Sequence, residues 1–165
     1  MTWTRLIATV LGIGLLRPAP GSWGALAALP VAWALHVMGG FALLVVATAA
    51  VAAIGTWATT RQIAGQDDQD PAEIVIDEVT GQWIALWPVS AGAWLAGADI
   101  LALWPGWIAA FVLFRLLDVF KPGPVGRADR LGGARGVMLD DILAGSGAAL
   151  GVVLLAGISH AVMLL

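Results

Sequence analysis

The chain has 165 residues, 60% hydrophobic and 12% charged, with a formal net charge of −3 and no cysteine. Soluble domains carry roughly 45–50% apolar and about 25% charged residues, and small folds leave much of their surface in water. A mean hydropathy of +0.91 therefore excludes a water-soluble fold, and the lack of cysteine excludes disulfide frameworks, thiolate metal sites and cysteine nucleophiles.

In chain order, the first apolar run is Leu6–Leu16, preceded by Arg5 and closed by Arg17-Pro18. It falls short of the roughly 20 residues needed to cross a bilayer. Pro18-Ala19-Pro20-Gly21 is also a poor leader-cleavage site, so a short interfacial helix is expected. Gly24–Thr60 follows, apolar but broken by Gly39-Gly40. As one helix it would be about 55 Å long, against a hydrocarbon core of roughly 30 Å. A helical hairpin turning at Gly39-Gly40 is predicted instead, with spans near 24–38 and 41–60.

Arg61–Glu78 is polar, and within it Asp70-Pro71-Ala72-Glu73 reads as a helix start, Asp70 as N-cap and Pro71 as first helical residue. Spans three and four are expected over Thr80–Gly97 and about Asp99–Phe120. The fourth would start as late as Pro105 if Trp104-Pro105-Gly106-Trp107 forms an interfacial turn. Lys121–Asp141 is a second polar segment. Ile142–Leu165 is the fifth span, where Gly145, Ser146, Gly147 and Gly151 permit close helix approach.

The fold class predicted is thus all-α: one domain over 1–165, a polytopic helical membrane bundle of about five embedded helices plus the interfacial helix. With the N-terminus inside, all eight basic residues fall on the inner side, Arg115 within the last two turns of a span approaching it. The polar segments then converge on the cytoplasmic face. The cations form no basic stripe suited to nucleic acid, which is excluded as a partner.

Two acid doublets, Asp77-Glu78 and Asp140-Asp141, each stand just ahead of a predicted span. A carboxylate at a helix N-terminus gains about 0.3–1 kcal/mol from the macrodipole, but that accounts poorly for adjacent like charges. Mg²⁺ prefers hard oxygen ligands and is held by a few carboxylates plus substrate phosphate, so a magnesium site is the better reading. Charges within a membrane helix cost about 2.5–3.5 kcal/mol each, which marks Arg115 and Asp118 as functional unless they form a local salt-bridge ladder with Lys121. Arg115 offers a planar fork for phosphate, and Lys121 offers a point charge or a snorkelling anchor.

Arg127, Arg130 and Arg135 interleave with glycines that let backbone N–H groups approach an anion, although such loops also bind lipid headgroups. Ser22 is expected to cap the first span or to hydrogen-bond a phosphate, capping being favoured. His36 and His160 lie in apolar spans and read as structural.

Together these segments resemble the phosphatidylglycerophosphatase A family. The resemblance runs through Leu16-Arg17-Pro18-Ala19-Pro20-Gly21-Ser22-Trp23-Gly24 and from Asp70 to Gly81. It resumes from Phe114 to Val125 and closes with Gly132–Asp141 and Ala144-Gly145. Leu117 and Val137-Met138 stand where the family pattern has Phe and Ile-Met, apolar for apolar. The resemblance implies a Mg²⁺-dependent lipid phosphatase of the bacterial inner membrane that converts phosphatidylglycerophosphate to phosphatidylglycerol and phosphate. On that reading Asp77, Glu78, Asp140 and Asp141 hold Mg²⁺, with Asp77, Asp140 and Asp141 counted among the catalytic residues. Asp118 activates water, helps hold the metal or becomes phosphorylated. Arg115, Lys121, Arg127, Arg130, Arg135 and Ser22 would contact the substrate phosphate, and membrane lipids are the remaining partners.

The spaced aspartates of CDP-alcohol phosphotransferases are missing, as are the motifs of histidine lipid phosphatases and the Asp-x-Asp of haloacid-dehalogenase enzymes. A small cation carrier could use buried acids, but here the acids gather at one face. A non-enzymatic scaffold leaves the doublets unexplained.

Overall fold

The computed structural model describes residues 2–163, which form six α-helices and two short 3-10 turns, with no strand among them. Helix α1 (Trp3–Ala8) is capped by Thr2 and is shorter than the apolar run it opens, because Val10, Leu11 and Gly12 adopt left-handed backbone conformations. A 3-10 turn, Ile13–Leu15, leads to α2 (Pro20–Ile63).

The bend within α2 falls at Gly39-Gly40, both with non-helical backbone angles, as the apolar break predicts. Gly24 packs on Val75 while Gly55 packs on the adjacent Ile76. In a straight helix those glycines would lie about 46 Å apart, so the element folds back as a hairpin. Gly40 has φ 65°, and any side chain there would run into the Trp94 ring. Both arms are stitched to α3 (Ile76–Ala96). The Trp83 indole donates to the Ala28 carbonyl at 2.9 Å, and His36 Nδ1 meets Ser90 Oγ at 2.7 Å. The Trp87 indole donates to Thr48 Oγ1 at 3.3 Å. His36 thus ties the first arm of α2 to α3.

Helix α3 is the centre of the bundle, packed against α2, α4 (Trp104–Phe120) and α6 (Gly133–Met163). Its long buried face includes Gln82, Trp83 and Ser90. Enclosure by other helices keeps these polar groups from lipid, and Trp83 and Ser90 find their hydrogen-bond partners on α2. Three stretches are long and apolar enough to cross a membrane: Pro20–Ile63, Ile100–Phe120 and Gly133–Val162. The second joins a 3-10 turn, Ile100–Leu103, to α4. The small residues of α6 act as predicted: Gly145 meets the backbone of Gly81, Gly147 receives Leu117 and Gly151 receives Leu113.

Three local expectations are corrected. Asp70 does not start a helix: Pro71–Glu73 makes only a turn, and Val75 leaves helical conformation to donate its N–H to the Ala8 carbonyl at 2.9 Å. Ser22 is not a cap, because α2 opens at Pro20 behind Ala19, which offers no side-chain oxygen. Helix α6 begins nine residues before Ile142. Gly132 and Gly133, both left-handed, turn the chain sharply after the short helix α5 (Pro124–Asp129), and Ala134, Val137 and Met138 then bury an apolar face. The end of the predicted fifth span, 164–165, lies outside the described residues.

Candidate active site

A cavity of about 260 Å³ opens where the ends of α2, α3 and α4 meet the second turn of α6 and a loop. The start of α2 contributes Ala19, Pro20 and Gly21, and the loop before α3 contributes Asp70, Ala72 and Ile74. Asp77 and Glu78 come from the first turn of α3, Arg115 and Asp118 from the last turns of α4, Lys121 from its C-cap, and Val137, Asp140 and Asp141 from α6. A larger cleft of about 690 Å³ lies toward the other end of α3, α4 and α6. Its lining is apolar apart from Ser159 and His160 and holds no carboxylate or guanidinium, so the smaller cavity is the candidate site.

The acids divide into two sets. Asp77, Glu78 and Asp141 each offer a carboxylate oxygen within 4.8 Å of the others. Asp77 is 7% exposed and Asp141 2%. Asp77 Oδ1, Glu78 Oε2 and both oxygens of Asp141 are buried and have no hydrogen-bond partner among the described residues. A buried carboxylate without a donor costs several kcal/mol by roughly any accounting, and three converging ones repel. These oxygens fit a hard cation, and this cluster could hold a metal ion.

The second set is already paired. Arg115 bonds Asp118 one turn along α4 and stands 3.9 Å from Glu78. Lys121 Nζ bonds Asp140 at 2.8 Å and also bonds Asp129. Desolvation alone would lower the Lys121 pKa; the hydrogen bonds and charges of Asp129 and Asp140 outweigh it and hold the ammonium well above its usual range. Gly21 brings α2 against both sets, since a Cβ there would collide with the Glu78 carboxylate and crowd Arg115.

Of the site residues expected from sequence, Asp77, Glu78, Arg115, Asp118, Lys121, Asp140 and Asp141 are brought together, with Asp140 on Lys121 instead of in the three-acid cluster. Arg127, Arg130 and Arg135 are exposed and do not line the cavity, nor does the half-buried Ser22. Sequence reasoning missed Gly21, Asp70 and Asp129. Asp70 was absorbed by its helix-start signal, and Asp129 was hidden among the arginines around it. The Asp140-Asp141 pair also lies about two turns inside α6, too deep for the helix macrodipole to account for it.

A hard-oxygen cluster beside a guanidinium and an ammonium is the donor set of phosphoryl-transfer enzymes, here carried by an all-helical frame. The comparisons make that class specific. The family model of phosphatidylglycerophosphatase A matches residues 6–156, and the chain belongs to that family of phosphatases. It is similar to phosphatidylglycerophosphatase A of Haemophilus influenzae, 34% identical over 142 residues, 85% of this chain and 80% of the relative. The Escherichia coli protein of that name is 34% identical over 143 residues, 86% of this chain and 76% of the relative. A Bacteroides thetaiotaomicron protein described as a candidate phosphatidylinositol-3-phosphatase is 38% identical over 144 residues, 85% of each chain. No solved structure matches the chain.

Proposed function

We propose that the protein hydrolyses phosphatidylglycerophosphate to phosphatidylglycerol and inorganic phosphate, using Mg²⁺, at the cytoplasmic face of the bacterial inner membrane. The observation that carries the reading is the set of unpartnered carboxylates beside Arg115 and Lys121 in a chain of this family. Both arms of α2, together with α3, α4 and α6, make five crossings with the N-terminus inside, and the site residues then share one membrane face.

Asp77, Glu78 and Asp141 would hold Mg²⁺, which when bound supplies positive charge to polarise a phosphoryl oxygen. Arg115, oriented by Asp118, offers its guanidinium to the phosphoryl oxygens, where charge accumulates as the ester bond breaks. Lys121 donates from the C-cap of the same helix, held by Asp140. When the guanidinium passes from Asp118 to the phosphoryl oxygens, the freed Asp118 carboxylate accepts a proton from the attacking water and returns it to the glycerol oxygen as the phosphate ester bond breaks. The exposed Arg127, Arg130 and Arg135 draw the anionic headgroup toward the surface without touching the reacting group.

The test is phosphate release from phosphatidylglycerophosphate by detergent-purified protein, with Mg²⁺ and with EDTA, against phosphatidylinositol-3-phosphate and phosphatidic acid. Mg²⁺-dependent release, fastest from the first lipid, is expected. Faster release from either competitor would overturn the substrate, and undiminished release in EDTA would overturn the metal.

A further inference from the structure

Lys121 is the chain's sole lysine. It stands at the C-cap of α4 with a left-handed backbone, φ 47°, which turns the chain so that α5 folds back on it. Gly126 lets α5 lie directly against the Lys121 carbonyl, and this close approach brings Asp129, the last residue of α5, to the ammonium. Asp140 reaches the same nitrogen from α6 at 2.8 Å.

An ammonium has three donors and no acceptor. Asp129 and Asp140 take two, leaving one N–H for a ligand in the cavity that Lys121 lines. Asp129 itself lies outside that lining. A lysine on a flexible four-carbon stem, tethered by Asp140 alone, could swing about that single contact. The second carboxylate, on another helix, fixes the direction of the third N–H.

We propose that Asp129 is a positioning residue: it acts through Lys121, orienting the one uncommitted N–H of the ammonium toward a phosphoryl oxygen of the substrate. The proposal rests on the phosphatase reading above and adds to it a residue that never touches the lipid. It also makes Lys121 an oriented hydrogen-bond donor whose single charge is outnumbered by two carboxylates, so arginine, with its wider fork, does not replace it.

A double-mutant cycle tests this. In the wild-type background Asp129→Asn lowers kcat/KM by about tenfold, the usual scale for removing an outer partner, and Asp129→Glu restores most of it. In a Lys121→Ala background the same Asp129→Asn change alters kcat/KM less than about twofold, because a residue acting through Lys121 has nothing left to act on. Equal losses in both backgrounds, or full activity in Asp129→Asn, would overturn the proposal.

A second arm does not depend on turnover. Lys121 is modified by an N-hydroxysuccinimide ester and quantified by peptide mass. Asp129→Asn should speed modification several-fold, while Asp129→Glu leaves it near wild type. Equal rates in wild type and Asp129→Asn would overturn the proposal even if the lipid substrate proves to be another one. Absence of phosphate release with the labelling pattern intact would instead fault the assigned reaction alone.

Discussion

The two acid doublets look alike in sequence and behave differently in the fold. Asp77 and Glu78 occupy the first turn of α3 and stay in one cluster. Asp140 and Asp141 lie about two turns into α6 and part company: Asp141 joins Asp77 and Glu78, and Asp140 turns to Lys121. Adjacent helical residues point about 100° apart, so neither doublet aims both carboxylates the same way: Glu78 faces Arg115 as well as the cluster, and Asp140 leaves the cluster for Lys121. Adjacency in sequence is therefore no guide to shared duty; the elements on either side decide it.

The largest effects should separate the members of the second doublet. Asp141→Asn should abolish at least about 99% of kcat, on the scale of losing a metal-site group or its partner, while Asp140→Asn leaves a measurable remnant. Equal losses would break the distinction. The melting temperature in EDTA sharpens it, because the signs are opposite. Asp141→Asn should raise it by relieving an unpartnered buried charge, and Asp140→Asn should lower it by leaving Lys121 short of a partner.

A smaller loss is expected at Gly145, one turn beyond Asp141, where the α6 backbone meets that of Gly81. Gly145→Ala should cost about 1–3 kcal/mol by overpacking and weaken the proposed Mg²⁺ site by moving Asp141 away from α3, read from denaturation and metal titration. Unchanged affinity would detach the cluster from this close approach. Smallest of all, Arg5→Ala should shift stability by less than about 1 kcal/mol, because its ion pair with Glu73 is partly open to solvent.

Much of the site was legible because charges are conspicuous in an apolar chain. Arg115, Asp118 and both doublets stand out against their surroundings, and each lines the cavity. The α2 hairpin was legible for a similar reason: Gly39-Gly40 interrupts a run too long for one crossing. The start of α6 was not, since the glycines at 132, 133 and 136 read as loop, although two of them only turn the chain and the third sits in the helix. Nor could sequence separate the lysine from the nearby arginines. Arg127, Arg130 and Arg135 share its segment, but which side chains face inward depends on how α5 folds back on α4.

The hydrogen bond from Val75 to Ala8 gives the amino-terminal segment a mechanical importance that its exposed surface conceals. It works as a latch: the carbonyl at the end of α1 fixes the backbone two residues ahead of Asp77, and Gly14 presses on the same strap at Glu73. An affinity tag or trimmed end that disturbed α1 would loosen the strap and let the leading turn of α3 drift. A purified enzyme of this kind is therefore better handled from its carboxyl end, where the last described turns of α6 stand clear of the candidate site.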